Sequence, residues 1–180
     1  ISHFSHMSSS AIFGKPNKNQ NVNYNKYNPT GLYGNSKYLA ELEVLKYKDL
    51  FESYSIIRPR PIIGKGRLGI FEILFDWVKD NKRIPIIGNG KNIFQFAHID
   101  DLVEVSVETA TKNISGIFNI GTNRYSNLEN DLNESFKLIG SKSRILPIND
   151  NLCIILLFIL DKLNLSPLSS WHYLSYSWNF

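Results

Sequence analysis

The sequence predicts an α/β chain organised on a parallel sheet. Three observations carry this reading. Short β-like runs alternate with longer stretches of helical periodicity, and Gly- and Pro-containing turns separate them. The chain also has 43% hydrophobic and 20% charged residues over 180 positions, the balance of a globular protein with a core of its own.

The elements follow in order. Phe4 to Phe13 reads as a strand ending at Gly14, and the Asn-, Lys- and Tyr-rich stretch from Lys15 to Pro29 as a loop. From Tyr33 to Tyr54 the pattern turns helical: Ala40, Val44, Tyr47 and Phe51 share a face, with Glu41, Glu43, Lys46 and Lys48 largely off it. Ser55 to Arg58 is a β segment stopped by Pro59 and Pro61. After the Gly64-Lys65-Gly66 turn, Gly69 to Lys82 presents a helical face of Ile70, Leu74, Trp77 and Val78. A strand at Pro85-Ile86-Ile87 and a Gly88-Asn89-Gly90 turn come next. Phe94 to Ile99 then leads to Asp100, and Asp100 or Asp101 is expected to N-cap a helix running to about Lys112. Ile117 to Ile120 is a short strand. Ser126 and Glu129 have the spacing of a capping box ahead of a helix to Leu138 that Gly140 closes.

Composition narrows the function classes. The net charge of +4 comes from 20 Lys+Arg against 16 Asp+Glu, scattered with no basic run, so no nucleic-acid partner is indicated. A single cysteine, Cys153, excludes an internal disulfide and leaves too few thiols for a Cys-based zinc site; a reducing, cytoplasmic compartment fits it best. The longest apolar run, Leu152 to Leu160, is far below the ~20 residues of a membrane span and reads as a buried helix. Ile1 to Met7 lacks the pattern of a signal peptide and reads as native sequence cut at its left edge.

Tyr33 and Lys37 are four residues apart at the start of the first long helix, so their side chains leave from one face. A free phenol has a pKa near ~10, and a neighbouring ammonium favours the phenolate, which makes the pair an acid/base for working pH. Ser8, Ser9 and Ser10 sit where a parallel strand ends, the edge at which open α/β sheets place ligands. By itself the Tyr-x-x-x-Lys spacing equally describes a half-exposed tyrosine beside a solvated lysine.

The wider context is more specific. Ser8-Ser9-Ser10-Ala11-Ile12-Phe13-Gly14, Asn28-Pro29-Thr30-Gly31-Leu32-Tyr33-Gly34-Asn35-Ser36-Lys37-Tyr38-Leu39-Ala40-Glu41, Arg58-Pro59, Phe96-Ala97-His98-Ile99-Asp100-Asp101-Leu102 and Phe118-Asn119-Ile120-Gly121 stand in an order and spacing that resembles the extended short-chain dehydrogenase/reductases, the nucleotide-sugar epimerase/dehydratase type. The resemblance implies the C-terminal half of a Rossmann-type doubly wound parallel sheet with a smaller mixed α/β substrate-binding part. It implies an NAD or NADP cofactor and an enzyme in which Tyr33 is the acid/base, Lys37 lowers its pKa and holds the nicotinamide ribose, and a serine assists. Counting back from Gly14 by the family's interval selects Ser9, with Ser8 and Ser10 as fallbacks. Pro59 is expected to touch the nicotinamide, or simply to end its strand. The substrate is expected to be a small molecule, a nucleotide sugar, with Ser10, Arg60, Lys65 and Arg67 as candidate contacts. The helices over Tyr33–Tyr54 and Gly69–Lys82 are where a homodimer would form in the family manner.

On this reading residues 1–62 are the second half of the dinucleotide-binding domain, and 63–180 are mostly the substrate-binding part, with 94–121 returning to the first. The Gly-rich turn that cradles a dinucleotide pyrophosphate is missing: Gly64, Gly66 and Gly69 follow Tyr33 instead of preceding it. The 180 residues alone are therefore expected to be an inactive piece of the enzyme. A second departure concerns the substrate. Pro61 stands where relatives carry Asn, and Ile93-Phe94 where they carry the Arg that grips a pyrophosphate, so Arg60, Lys65 or Arg67 would have to substitute. That gap also suits a 3β-hydroxysteroid-dehydrogenase-like or dihydroflavonol-reductase-like oxidoreductase, and a non-catalytic scaffold of the same fold is the remaining alternative. His98 reads as a packed core residue, Asp100 and Asp101 as caps, Trp77, Phe71 and Phe75 as core or interface aromatics, and no metal site is indicated.

Overall fold

The computed structural model describes residues 2–14, 26–66 and 70–163. In chain order its elements are β1 (His3–Met7), a 3-10 turn (Ser10–Phe13), α1 (Gly31–Lys46), a second 3-10 turn (Lys48–Leu50), β2 (Ser53–Pro59), β3 (Ile62–Ile63), α2 (Ile70–Lys79), β4 (Arg83–Ile87), β5 (Ile93–Phe94), β6 (Ala97–His98), α3 (Ile99–Thr111), β7 (Gly116–Ile120), β8 (Ser126–Asn127), α4 (Leu128–Ile139), β9 (Arg144–Ile148) and α5 (Asp150–Lys162). The chain divides into two compact units, Ile1–Arg67 with Gln95–Arg124, and Leu68–Phe94 with Tyr125–Phe180.

The first unit is built on a parallel sheet of order β1-β2-β7, in which Met7 pairs with Ile57 and Ile57 with Phe118. The α/β architecture with parallel strands is the one the sequence predicts. β2 is central and covered on both faces, which is why its Ile56 and Ile57 are fully buried and its residues do not alternate. Helix α3 packs on β1 and β2, and β3 pairs with β6, also in parallel. In the second unit β4 pairs with β9 in parallel and β5 with β8 antiparallel. Its core is Val78, Ile84, Ile86, Leu128, Leu132 and Phe136, with Leu74, Trp77 and Ile145 against it. Gly140 ends α4 in the left-handed conformation, φ 69°, where a side chain would cost energy.

Several local expectations are corrected. β1 stops at Met7, because the Ser9 hydroxyl accepts the Ala11 amide at 3.2 Å and the next residues wind into a 3-10 turn. α1 ends at Lys46, not near Tyr54; pairing of Ser53 with His3 draws the following residues into β2. The buried face of α1 is Gly34, Glu41 and Val44, while Tyr47 is exposed. α4 is capped by Asn127, whose side chain accepts the Asn130 amide at 2.9 Å, instead of by a Ser126–Glu129 box. α3 is capped by His98, whose Nδ1 accepts the Asp100 amide at 3.3 Å. His98 is thus half-exposed and not a core residue: in β6 the inward place goes to its neighbour Ala97. The apolar run read as a buried helix is α5, but Leu152, Ile155, Leu156 and Phe158 are each more than half exposed. An unbroken apolar run marks no face, so it cannot say how much of the helix is covered. Among the described residues no helix is long and apolar enough to cross a membrane.

Candidate active site

The C-terminal end of β1, the turn after it and the first turns of α1 meet in the first unit. Gly34 makes the approach possible: a Cβ there would lie 2.9 Å from the Ala11 carbonyl oxygen, so any side chain would push α1 off the serine-bearing turn. Tyr33 lies beside Gly34 in the first turn of α1 and is half-exposed. One turn on, Lys37 donates from Nζ to the Met7 carbonyl at 2.9 Å, with the ammonium 5.9 Å from the Tyr33 ring centroid. The lysine is thereby fixed at the last residue of β1, immediately before Ser8. Ser8 is buried with its hydroxyl unpartnered, whereas Ser9 Oγ accepts the Ala11 amide of the turn. His6, also in β1, has a buried Nε2 without a partner. Burial first, and then the charge of Lys37, hold its imidazole below the ordinary value of 6.5, against the opposing pull of Glu41.

The inner face of α1 carries a residue that the sequence reading left on the outside. Glu41, one turn beyond Lys37, is 2% exposed and takes both arms of the Arg58 guanidinium, Nε to Oε1 at 2.9 Å and Nη2 to Oε2 at 2.6 Å. Nη2 also donates to the Tyr27 hydroxyl at 3.0 Å, and the guanidinium lies over the Tyr27 and Phe13 rings at 5.1 and 5.4 Å. Burial disfavours the Arg58 charge, but its hydrogen bonds to Glu41 and Tyr27 outweigh it and raise the pKa above its ordinary value. The pair ties α1 to β2 beneath the tyrosine and lysine. The i,i+4 spacing of Lys37 and Glu41, with an arginine in a strand otherwise apolar at its centre, was the available signal.

The remaining candidates are dispersed. Pro59 is buried at the end of β2, paired with Ile120. Arg60 follows it, half-buried, with Nε donating to Gln95 Oε1 at 3.0 Å. Lys65 is exposed, and Arg67 lies outside the described residues. Ser10 is partly covered at the start of the 3-10 turn. Among the described residues no three His, Cys, Asp or Glu side chains gather as metal ligands would.

The profile of the NAD dependent epimerase/dehydratase family matches residues 1–121. The chain belongs to that family. It is 35% identical to the uncharacterized protein y4nG of Sinorhizobium fredii, over 98% of this chain and 45% of that protein. It is 30% identical to a putative UDP-glucose 4-epimerase of Methanocaldococcus jannaschii, over 73% of this chain and 44% of the relative. This epimerase/dehydratase-family chain thus spans a little under half the length of these curated relatives. Its fold is similar to that of the UDP-glucuronic acid 4-epimerase of Bacillus cereus, solved with UDP-glucuronic acid and NAD, with a TM-score of 0.69 at 24% identity over 82% of this chain and 48% of that one.

Proposed function

We propose that this chain is the catalytic half of a NAD(P)-dependent enzyme that epimerises or dehydrates a nucleotide sugar, with Tyr33 as acid/base and Lys37 and Ser9 as its partners. The observation that carries the reading is Lys37 held at the end of β1, one helical turn from Tyr33 and next to the serine run. Family membership and the fold shared with an epimerase that binds NAD and UDP-glucuronic acid support it. The first unit is the proposed dinucleotide side and the second the proposed substrate side, within a cytoplasmic enzyme that dimerises through its helices.

The residues present suit a nicotinamide. The Lys37 ammonium has two further hydrogens beyond the one given to Met7, the buried Ser8 hydroxyl is unpartnered, and Pro59 closes β2 on the same sheet edge. Lys37, Tyr33 and Pro59 would hold the ribose and ring, and the nicotinamide would supply hydride acceptance and return. Removing hydride from a carbinol carbon leaves a hydroxyl proton, which Tyr33 Oη takes and later returns. Lys37 sets its ammonium 5.9 Å from the Tyr33 ring centroid, where it can meet the ribose and the reacting oxygen together. Ser9 Oγ, which accepts the Ala11 amide, keeps its O–H to donate and steadies the substrate oxygen. The Gly-rich pyrophosphate turn is not among these residues, so the 180-residue chain alone is expected to be inactive.

A pH–rate profile of the full-length protein tests this. Tyr33→Phe keeps the ring and deletes the titrating oxygen, and should lower kcat about 10²- to 10⁴-fold. Lys37→Met should slow the reaction and raise the KM for the dinucleotide, since the side chain fixed at the end of β1 loses the N–H groups it would offer the ribose. Near-wild-type kcat in Tyr33→Phe would overturn the proposal.

A further inference from the structure

Arg58, in β2, and Arg60, just past its end, stand two residues apart and meet opposite electrostatic surroundings. Arg58 is paired with a carboxylate. Arg60 has an amide instead: its Nε donates to Gln95 Oε1 at 3.0 Å, and its backbone N–H to the Ile120 carbonyl at 2.8 Å. Gln95 is itself anchored, donating from Nε2 to the Thr122 carbonyl. Gly121 leaves room for the stack, since a Cβ there would lie 3.0 Å from Gln95 Cδ and 3.1 Å from Arg60 Cγ. Among the described residues neither terminal nitrogen of Arg60 has a partner, and no carboxylate pairs with it.

A glutamine in this position fixes the direction of the guanidinium fork without neutralising it. Burial lowers the Arg60 pKa with nothing opposing, the sign of a partly desolvated cation that lacks its counter-charge. Its place in the fold is where ligands arrive, directly after β2 at the C-terminal edge of the parallel sheet. In the order β1-β2-β7, Lys37 is fixed to the end of β1 and the Arg60 backbone to the end of β7.

We infer that Arg60, aimed by Gln95, binds an oxyanion of the substrate, receiving a pair of phosphate or carboxylate oxygens on its two terminal nitrogens. This rests on the nucleotide-sugar reading of the same edge and sharpens it, choosing Arg60 over Lys65 and Arg67 and adding Gln95 as a positioning residue. A planar fork held through Nε presents two parallel N–H groups, a geometry that lysine cannot reproduce.

The test is calorimetric titration of the full-length protein with UDP, with glucuronate and with inorganic pyrophosphate, with NAD as the control. UDP and pyrophosphate report a phosphate source, glucuronate a carboxylate. Arg60→Gln should weaken whichever anion the wild type binds about ten- to a hundredfold while leaving NAD affinity unchanged, and Arg60→Lys should not restore it. Gln95→Glu is the sharper variant. It keeps the Nε contact and strengthens any structural role, yet should abolish anion binding because the carboxylate occupies the charge. Unchanged anion affinity in Arg60→Gln and Gln95→Glu would overturn the inference, as would a wild type that binds none of the three. If only pyrophosphate binds, and Arg60→Gln loses it, the oxyanion site stands and the nucleotide-sugar reading falls.

Discussion

The two units bury different chemistry. The second packs a hydrocarbon cluster of Val78, Ile84, Ile86, Leu128, Leu132 and Phe136. The first surrounds Ile12, Ile56 and Ile57 with buried Ser8, Glu41, Ser53, Ser55 and Arg58. Its polar groups are chained across the sheet: His3 reaches Ser53 at 2.6 Å and Ser55 at 3.1 Å, and Ser5 reaches Ser55 at 2.8 Å. An apolar cluster is stabilised in proportion to the area it hides, so it tolerates small faults; a buried polar network stabilises only while every member keeps its partner. The unit that carries the candidate site is therefore the one in which a single missing atom matters most.

That contrast can be broken or sharpened by substitution, with stability read from urea denaturation. Glu41→Ala leaves the Arg58 guanidinium buried and unpaired, and should cost about 3–5 kcal/mol. The double change Glu41→Leu with Arg58→Met should recover most of that loss, because the cost lies in the orphaned charge more than in the lost attraction. A single substitution as mild as the double would mean the first unit is not a polar core at all. In the second unit Leu132→Ala should cost about 2–5 kcal/mol through transfer and cavity terms, and no partner substitution should rescue it. Asn127→Ala, which removes the α4 cap, should cost about 1 kcal/mol. At the small end, Glu108 in the last turn of α3 and Lys112 just past its end lie 2.6 Å apart and exposed, and Lys112→Ala should leave the unfolding midpoint unmoved. A clear shift there would show that location, more than burial, decides what an ion pair contributes.

The same contrast explains what could be read in advance. The second unit was legible because its face is apolar at helical spacing: Leu74, Trp77 and Val78 stand where the periodicity of α2 puts them. In the first unit the parallel strands and the helix bearing Tyr33 and Lys37 were legible from strand–loop–helix–strand alternation and from motif spacing. The inner face of α1 was not, since Glu41 looks like a solvent residue until the guanidinium of β2 is known to lie opposite. Caps failed for a related reason. At α3 the Asp100 amide goes to His98 and at α4 the Asn130 amide goes to Asn127, and each capping residue is set by a short strand pairing, His98 opposite Ile63 and Asn127 opposite Ile93. Neither pairing is encoded within its own segment.

The bond from Lys37 to the Met7 carbonyl has a consequence for ligand affinity. A lysine free in solvent loses up to about 2 kcal/mol of rotamer freedom when something pins it. Here the strand end has already pinned the side chain, with two N–H vectors still to offer. A ligand that takes those hydrogens meets a side chain whose disorder was surrendered during folding, so more of its contact energy survives as binding.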